Sequence, residues 1–421
     1  MAGRRVSAAL ILFDDRRARE WAPFALTRPV GELIFGAMRL VERAERAFGI
    51  ECLGHLTAPH LARFREPGAP PALSEGDVPE DRPRIFWCAR AAPVPGQPIP
   101  TAEGPVLYTI GGRPVGCLVP AGDRPDGGLL ESLEPGSSFD RTIDIEGRLL
   151  DWIWEAMLET PEWAARDLEA ADGPPAADRL PDGVYTLGDH ALRIAPDVRI
   201  EPPTLFDLRA GPIRIDEAVE VRSGTRLAGP SAIGPRSRLL GGSFESVITG
   251  PFAYLRGEIG HAIVLGYVNK AHDGYLGHAY VGRWVNLGAF TTNSDLKNNY
   301  HPVRVWTPSG ERDTGELKIG CFLGDHVKTG IGLLLNTGTV VGAGSNLYGS
   351  SMPPKHVPPF SWGEGADLTE HRLDAFLDTA ARTMPRRGIE LDDDGRAYLE
   401  SCWREGRKGL RRRGQEGRER S

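Results

Sequence analysis

Apolar and polar residues follow different patterns in the two halves of the chain. The first half contains short apolar runs that are typical of buried strands, at residues 8–13, 85–88, 106–110 and 115–119. After Pro29, apolar residues recur three and four apart, which predicts an amphipathic helix that includes Leu33, Ala37, Leu40, Ala44 and Ala47. Strands mixed with helices indicate an α/β layer. Residues 170–183, rich in Ala, Pro, Asp and Gly, are interpreted as a connector.

From about residue 211, a six-residue period appears in two blocks. The repeating positions are Ile215, Val221, Leu227, Ile233 and Leu239, and then Leu323, Thr329, Leu335, Val341 and Leu347. Six is neither a helical period nor a simple alternation. It is the repeat of a parallel β-helix, in which each six residues form one side of a triangular coil. The apolar residue points into the core, and a following small residue lets the chain bend at the corner.

Two segments depart from the period. Residues 296–317 are polar, and a loop that leaves a solenoid is a place where a binding site can be assembled without disturbing the coil. Residues 367–384 have a helical pattern, and the basic segment 404–421 is interpreted as a solvated tail, with an RNA or phosphate patch as the alternative. The predicted domains are therefore 1–203, 204–363 and 364–421.

Composition narrows the functional classes. The net charge of −7 argues against a basic nucleic-acid-binding surface. No apolar run approaches the roughly 18 residues that span a bilayer, so no membrane association is expected. The first apolar run ends in two acids and is followed by no small-residue cleavage site, which disfavours a signal peptide. The five cysteines are scattered, as expected for a reduced, cytoplasmic protein without structural disulfides.

Three segments of the second half resemble a known family. Residues 250–256, 270–277 and 285–289 resemble, in that order, an arginine-bearing coil, the catalytic segment and the following coil of the bifunctional enzymes that acetylate and then uridylylate glucosamine-1-phosphate. Residues 269–274, 296–300 and 324–330 are most similar to a divergent branch, described as sugar nucleotidyltransferases fused to the same β-helix. The resemblance implies a Rossmann-like nucleotidyltransferase domain, a left-handed parallel β-helix of hexapeptide repeats, a helical C-terminal tail and a homotrimer.

The same resemblance implies roles for solenoid residues. His272 takes the place of the general base, for which an imidazole with a pKa near 6.5 is suited. Tyr275 and Asn286 match residues that hold the sugar or the reacting groups. Arg256 matches a sugar-phosphate contact, since a guanidinium binds phosphate bidentately. The other implied contacts are Lys270 or Lys297 for a missing phosphate-binding lysine, Asn299 and Tyr300 for an Asn-Tyr pair, Arg304 for a lysine beyond that pair, and Ala289 for acetyl-coenzyme A.

The first domain matches its expected signature less well. The first strand leads into Asp14, Asp15 and Arg16, without the glycines that let backbone N–H groups receive nucleotide phosphates. Arg28 lies in a Thr-Arg-Pro segment that resembles the later part of the signature, but Val30 stands where a lysine is expected. Arg16 and Arg28 are the candidate phosphate contacts. The two aspartates either hold Mg²⁺ or only cap the strand end.

The predicted function is therefore an enzyme of sugar-nucleotide metabolism. The β-helix would transfer an acetyl group from acetyl-coenzyme A to an amino-sugar phosphate, and the first domain would form a nucleotide-sugar from a sugar-1-phosphate and a nucleoside triphosphate. The alternative is a non-catalytic protein of the same two domains that senses a nucleotide-sugar or holds an assembly together.

Overall fold

The computed structural model describes residues 8–101, 104–136, 139–171 and 180–418. The first domain is built on a mixed seven-stranded sheet, and neighbouring strands are parallel except those beside Arg113–Val119. In spatial order the strands are Arg141–Asp144, Val106–Ile110, Arg113–Val119, Arg84–Cys88, Ala9–Phe13, Cys52–Leu56 and Ala72–Leu73. The predicted α/β layer is confirmed. Two small antiparallel pairs accompany it, Ile34–Phe35 with Met38–Arg39 and Ala91–Pro93 with Gly147–Leu149.

The chain contains five α-helices within the described residues: α1 Leu40–Phe48, α2 Gly127–Ser132, α3 Ile153–Ala170, α4 Leu373–Thr383 and α5 Asp393–Arg418. Helix α1 starts later than the apolar spacing predicts. Gly36 has φ +68° and a Cβ there would lie 2.2 Å from Asp167, so the chain forms a turn between two short strands at this position. The helix ends at Gly49, whose φ of +65° is the usual left-handed C-terminal conformation.

The second half is a parallel β-solenoid, which confirms the predicted fold class. Its first strand, Val184–Leu187, pairs with Thr204–Asp207, so the strand pairing begins before the expected boundary at 203. The further strands are Leu192–Ile194, Arg199–Ile200, Ile213–Ile215, Glu220–Val221, Thr225–Ala228, Ser231–Ile233, Arg238–Thr249, Tyr254–Val264, Asn269–Lys270, Tyr275–Val281, Asn286–Leu287, Thr292–Asn293, Cys321–Leu323, Lys328–Thr329, Leu334–Leu335, Thr339–Val341, Asn346–Tyr348, His356–Val357, Ser361–Glu364 and Asp367–Glu370.

All ten positions of the six-residue period lie in the solenoid interior, which confirms the predicted apolar columns. The corners differ from the expectation of small residues alone. At one corner the rings of Phe252, Tyr267, Trp284 and His326 follow one another in successive coils, all with positive φ. A glycine usually precedes or neighbours such a corner, and the corner residue itself carries a large ring that stacks on the next coil.

One outer face of the solenoid is covered by the first domain. Its outward-pointing residues align in register and are buried: Ala232, Ile248, Ile263, Tyr280, Phe322 and Val340. We call this set the covered column. The Tyr280 hydroxyl donates to the Ile34 carbonyl at 2.9 Å and accepts from the Ile34 N–H at 2.8 Å. The two domains therefore share one hydrophobic core.

The polar segment 296–317 contains an antiparallel hairpin, Arg304–Thr307 with Gly310–Asp313, that extends from the solenoid to the first domain. The Arg312 guanidinium lies over the Trp152 ring, 4.8 Å from its centre. Val303 and Val305 join the shared core. The segment expected to carry a binding site thus also acts as a strut between the domains.

Helix α4 and the first part of α5, which precede the basic segment 404–421, pack against both domains. Phe376 of α4 and Leu399 and Cys402 of α5 pack in one apolar cluster with Leu61 and Phe64 of the first domain and Phe360 of the solenoid. The two helices therefore fasten both domains together. Within the described ranges, no helix combines the length and the apolarity needed to cross a bilayer.

Candidate functional site

A hydrogen-bonded cluster lies on the outside of the solenoid, at the base of the 296–317 segment. Asp295 Oδ2 accepts a hydrogen bond from the Tyr275 hydroxyl at 2.8 Å and another from His278 Nδ1 at 2.7 Å. The side chains of His278 and Asp295 are 12% and 13% exposed, so the pair is sheltered but reachable from solvent. One carboxylate oxygen thus orients a phenol and an imidazole together.

The ionisation of the cluster follows from these contacts. The hydrogen bond from His278, with that from Tyr275, holds the pKa of Asp295 below its usual value, so the carboxylate is ionised at neutral pH. Burial, followed by the bond to Asp295, raises the pKa of Tyr275, which keeps its proton. An anionic acceptor fixes the imidazole with Nδ1–H toward Asp295, so that Nε2 carries the free lone pair.

His261 lies on the neighbouring coil and stacks on His278, with ring centres 4.7 Å apart and planes 22° apart. Burial and then the neighbouring His278 lower the pKa of His261. Both histidines have positive φ, 51° and 44°, as does Ser246 one coil earlier. A second corner of the solenoid therefore carries a column of Ser246, His261 and His278, which leads to Asp295.

The backbone beneath the cluster is fixed on both sides. The Asn293 amide accepts from Gly277 N–H at 2.9 Å and donates to the Gly277 carbonyl at 2.9 Å. Where the chain returns to the coil, Ile319 N–H donates to the Asp295 carbonyl and Gly320 N–H to the His278 carbonyl, at 2.9 and 2.8 Å. The long insertion therefore begins and ends on the two residues of the His–Asp pair.

The structure separates the three residues expected to form the catalytic set. His272 is exposed at a corner, and within the described residues its ring makes no hydrogen bond, although its carbonyl accepts one from Lys270. Tyr275 bonds to Asp295 and not to His272. Asn286 accepts from the Asn269 amide at 3.0 Å on another side of the coil. In one protomer these three side chains are not linked to one another by hydrogen bonds.

Two expected phosphate contacts have partners within the protein. The Lys270 ammonium is buried and donates to the carbonyls of Arg256 and His272 at 2.9 and 2.8 Å, and burial lowers its pKa to about 8. It supports the corner and is not open to a ligand. Arg256 is exposed and bonds to Asp273 at 3.2 Å and to the Leu240 carbonyl at 2.7 Å, so it remains accessible.

The remaining predicted solenoid contacts lie on or beside the insertion. The Lys297 ammonium donates to the Pro302 carbonyl, Asn299 accepts from His301 N–H, and Arg304 forms an exposed pair with Glu311 at 3.5 Å. Tyr300 is largely exposed. Ala289 is half-buried, and its carbonyl accepts from Gly332 N–H at 2.7 Å. All five are separate from the Tyr275–Asp295–His278 cluster in their hydrogen bonding.

In the first domain, Arg28 is engaged by carboxylates and not available to a phosphate. Its guanidinium, 1% exposed, lies 2.7 Å from Asp325 of the solenoid and 3.0 Å from Glu66. Arg283 of the solenoid adds a 2.8 Å pair with Glu66. Burial alone would raise the pKa of Glu66, but Arg28 and Arg283 hold it below its usual value. The sequence signature at Arg28 thus builds a buried ion-pair network between the domains, a correction to its expected role.

The two candidate magnesium ligands do not form a metal site. Both oxygens of Asp15 bind Arg90, at 2.8 and 2.7 Å, and Asp15 also accepts from Ala18 N–H. Asp14 accepts from Val30 N–H and from the Thr57 hydroxyl, and burial raises its pKa to about 6. Within the described residues, no three His, Cys, Asp or Glu side chains converge as metal ligands. A dication beside Arg90 would meet a like charge, so these residues do not fit Mg²⁺.

Two clefts remain open around this strand end. One, of about 780 Å³, is lined by Asp14, Thr57, Ser74 and Arg124 at the carboxyl ends of parallel strands, where open α/β sheets bind ligands. The other, of about 530 Å³, is polar and includes exposed Arg16, Arg113 with its Asp151 partner, and Arg312 of the hairpin. Arg16 is exposed and lines this polar cleft, and its role as a phosphate contact stays a prediction.

Sequence analysis missed His278, Asp295 and His261, but a signal was present. The coil length in this region is seventeen residues, as shown by the register of Glu258 with Tyr275 and of Asn269 with Asn286. His261, His278 and Asp295 are also seventeen residues apart. Residues separated by one coil stack in a solenoid, so this spacing places an imidazole beside a carboxylate.

Comparisons with known proteins agree with the resemblance seen in the sequence. A family model described as sugar nucleotidyl transferase matches residues 10–101. A bifunctional sugar-1-phosphate nucleotidylyltransferase/acetyltransferase of Sulfurisphaera tokodaii is 27% identical over 161 residues, which cover 35% of this chain and 38% of that protein. The bifunctional protein GlmU of Syntrophomonas wolfei is 30% identical over 202 residues, covering 43% of this chain and 40% of that protein.

A solved structure, a mutant of the N-acyltransferase AntD from Bacillus cereus with dTDP and coenzyme A, covers 48% of this chain and 91% of its own, at 13% identity and a TM-score of 0.20. The chain spans about two fifths of the length of the curated relatives it matches. The predicted resemblance to bifunctional sugar-1-phosphate nucleotidyltransferases/acetyltransferases is confirmed, at modest identity and partial coverage.

Proposed function

We propose that this chain is an enzyme of sugar-nucleotide metabolism whose solenoid transfers an acetyl group from acetyl-coenzyme A to the amine of an amino-sugar phosphate. The observation that carries the proposal is the Tyr275–Asp295–His278 cluster, whose oriented imidazole directly follows residues 270–277, the segment that resembles the family's catalytic coil. The similarity to bifunctional nucleotidylyltransferase/acetyltransferases supports it. Acyl transfer requires a base that removes the amine proton as nitrogen attacks the thioester, and a sheltered imidazole can do this.

A homotrimer is part of the proposal. Large apolar side chains are exposed along one flank of the later coils, where Ile331 is 78% exposed and Phe290 65%. We call this set the apolar flank: Phe290, Ile331, Leu334, Tyr348 and Trp362. Tyr348 and Trp362 are in edge contact, and Leu334 pairs with Thr292 of the coil before it, so the residues follow neighbouring coils. An exposed apolar strip of this kind is typical of a subunit interface. In a trimer, exposed His272 and half-buried Ala289 would face a neighbouring subunit.

For the first domain, the proposal is recognition of a nucleotide or nucleotide-sugar in the 780 Å³ cleft. A specific observation favours the second candidate function, sensing without transfer: Asp15 and Arg28, expected to serve phosphates and metal, are both bound to side chains of the protein. Arg16 lines the adjoining 530 Å³ cleft, where it is exposed and available for phosphate contact. Formation of a nucleotide-sugar by this domain and binding without turnover give different products and can be separated by experiment.

The test mixes the full-length protein with acetyl-coenzyme A, uridine triphosphate and several sugar-1-phosphates, with and without a free amine, and analyses the products by mass spectrometry. We expect an N-acetylated amino-sugar phosphate and free coenzyme A. Release of pyrophosphate together with a new nucleotide-sugar would assign nucleotidyl transfer to the first domain. Thermal stabilisation by a nucleotide-sugar without pyrophosphate would assign sensing. No acetylated product from any amino sugar would refute the acetyltransferase proposal.

A further inference from the structure

We propose that His278, oriented by Asp295, is the acid–base residue of acyl transfer by the solenoid, in place of His272. This inference rests on the proposed acyltransferase function and assigns its chemistry to a different imidazole from the one that the sequence resemblance selects. Three independent features of the structure lead to it: the hydrogen-bond partners of the two imidazoles, their surroundings and the anchoring of their backbones.

The first difference between His278 and His272 is in their hydrogen-bond partners. His278 has a fixed tautomer, because Nδ1 donates to the Asp295 carboxylate at 2.7 Å and leaves Nε2 to exchange a proton. The same carboxylate oxygen holds the Tyr275 hydroxyl at 2.8 Å. A carboxylate behind an imidazole stabilises the imidazolium that forms when a proton is accepted. The ring of His272 has no such partner among the described residues, so neither its orientation nor its tautomer is set.

The second difference between the two histidines is in their surroundings. His278 lies between the stacked ring of His261 and the carboxylate, and its side chain is 12% exposed, whereas His272 stands exposed at a corner. The charged groups that act on the cluster are Glu245, Glu258 and Lys318, with Asp295 itself. Electrostatic interactions are stronger where water is partly excluded, so proton transfer is better controlled at His278.

The anchoring of the backbone is the third feature. The insertion leaves the coil directly after Asp295 and returns at Ile319 and Gly320, which bond to the Asp295 and His278 carbonyls. Asn293 fixes Gly277, the residue before His278, at both its N–H and its carbonyl. The two side chains are thus held by rigid elements, as an acid–base pair requires. A long loop at this point can also supply a wall for an acceptor.

The proposed reaction transfers an acyl group from a thioester to an amine. The acceptor is a primary amine, and the donor is an acyl thioester of coenzyme A. The amine nitrogen forms a bond to the thioester carbonyl carbon while one N–H proton passes to His278 Nε2. The carbon–sulfur bond then breaks, and the imidazolium returns its proton to the leaving thiolate. The products are an amide and free thiol, with no change of oxidation state, and Asp295 stays ionised throughout.

The experiment compares single variants of the full-length chain by coenzyme A release from acetyl-coenzyme A and an amino-sugar phosphate. His278→Asn is the decisive variant. Asparagine tolerates the positive φ at this corner, and its amide can donate to Asp295 as Nδ1 does, but it has no basic nitrogen. His190→Asn is the control for the loss of an imidazole, since His190 is an exposed solenoid histidine that pairs with Glu169, away from the cluster. His272→Asn tests the competing assignment.

We expect His278→Asn to lower kcat by about 100-fold or more, the usual contribution of a general acid–base group, and His272→Asn and His190→Asn to lower it by less than about fivefold. Asp295→Asn should lower kcat with little change in KM, and should shift the acidic limb of the kcat–pH profile, because the amide no longer stabilises the imidazolium. Thermal stabilisation by acetyl-coenzyme A and the circular dichroism spectrum of each variant show whether binding and folding are retained.

Two results overturn the assignment in distinguishable ways. Near-normal kcat in His278→Asn together with loss of activity in His272→Asn would return the base to His272 and leave the acyltransferase function intact. An absence of coenzyme A release by the unmodified protein with every amine tried would refute the function itself and, with it, the role of His278.

Discussion

The two domains place their charged residues in different surroundings. In the first domain, Arg28 and Asp15 lie in segments expected to hold phosphates or a metal, yet both are buried against partners of opposite charge. In the solenoid, His278 and Asp295 are also paired, but the contact uses only Nδ1 of the imidazole, and the His278 side chain is 12% exposed. A charged residue whose polar atoms are all paired within the protein supports the structure. A residue that is held in one orientation but keeps one polar atom unpaired can exchange a proton.

The largest expected effect is a loss of stability when the buried ion pairs of Arg28 are removed. Arg28→Ala removes the cation between Asp325 and Glu66 and leaves two carboxylates buried with less compensation. Loss of one partner of a buried pair costs about 3–5 kcal/mol. We expect a large fall in the urea midpoint, and loss of coenzyme A release only where unfolding is also seen.

Arg113→Ala is the control for this prediction. Arg113 pairs with Asp151 on the surface at 2.8 Å, and exposed pairs contribute about 0–1 kcal/mol. An Arg28→Ala protein as stable as Arg113→Ala would contradict the structural role of the network. An Arg28→Ala protein that is stable but has lost nucleotide affinity would restore Arg28 as a phosphate contact.

The next effect concerns pH. Burial raises the pKa of Asp14 to about 6 from its ordinary value of 3.8, so between these two values the folded protein binds a proton that the unfolded chain releases. Stability should therefore fall as the pH rises from about 4 to 6, by up to ~3 kcal/mol from this group. Asp14→Asn should flatten the dependence in urea unfolding curves between pH 4 and 7, and an unchanged slope would contradict it.

A third prediction tests the proposed assembly. Ile331→Asp places a charge in the apolar flank, where a subunit interface would bury it without a partner. We expect the trimer to dissociate to monomers in light scattering after size exclusion, with the monomer still folded. Tyr185→Asp, at an exposed apolar side chain of the first coil, is the control and should leave the mass unchanged. A monomeric unmodified protein would refute the trimer directly.

The smallest effect is expected at Arg256. Its guanidinium is half-exposed and weakly held, so Arg256→Ala should change stability by less than about 1 kcal/mol. If it contacts the sugar phosphate, KM for the phosphorylated acceptor rises about tenfold, as expected for loss of a charge-assisted hydrogen bond, while KM for the unphosphorylated amine stays the same. Equal effects on both acceptors would argue against phosphate contact.

The six-residue period predicted the solenoid because a single repeating position must be apolar to fill a narrow core. Ile215, Val221 and Leu239 could be placed inside from spacing alone. The covered column was not predicted, although Ala262-Ile263-Val264 and Cys321-Phe322-Leu323 show its signal: three consecutive apolar residues mean that both faces of a strand are buried.

The site was less predictable than the fold for a physical reason. Whether Arg28 binds a phosphate or Asp325 depends on a residue about 300 positions away, which no local motif specifies. His278 and Asp295 form a pair only because the coil here takes seventeen residues, and the motif resemblance directed attention to His272 three residues before Tyr275. Residue type suggests a chemistry, and tertiary partners determine which residue stays available for it, as we propose for His278.

The covered column has a practical consequence for dissecting the protein. A fragment cut at the predicted boundary would expose the side chains of Ile263, Tyr280 and Phe322 to water as an apolar surface of the isolated solenoid. Such a fragment would be prone to self-association and would lose activity through insolubility. Point substitutions in the intact polypeptide, not truncations, are therefore the sound genetic tool for separating the two halves.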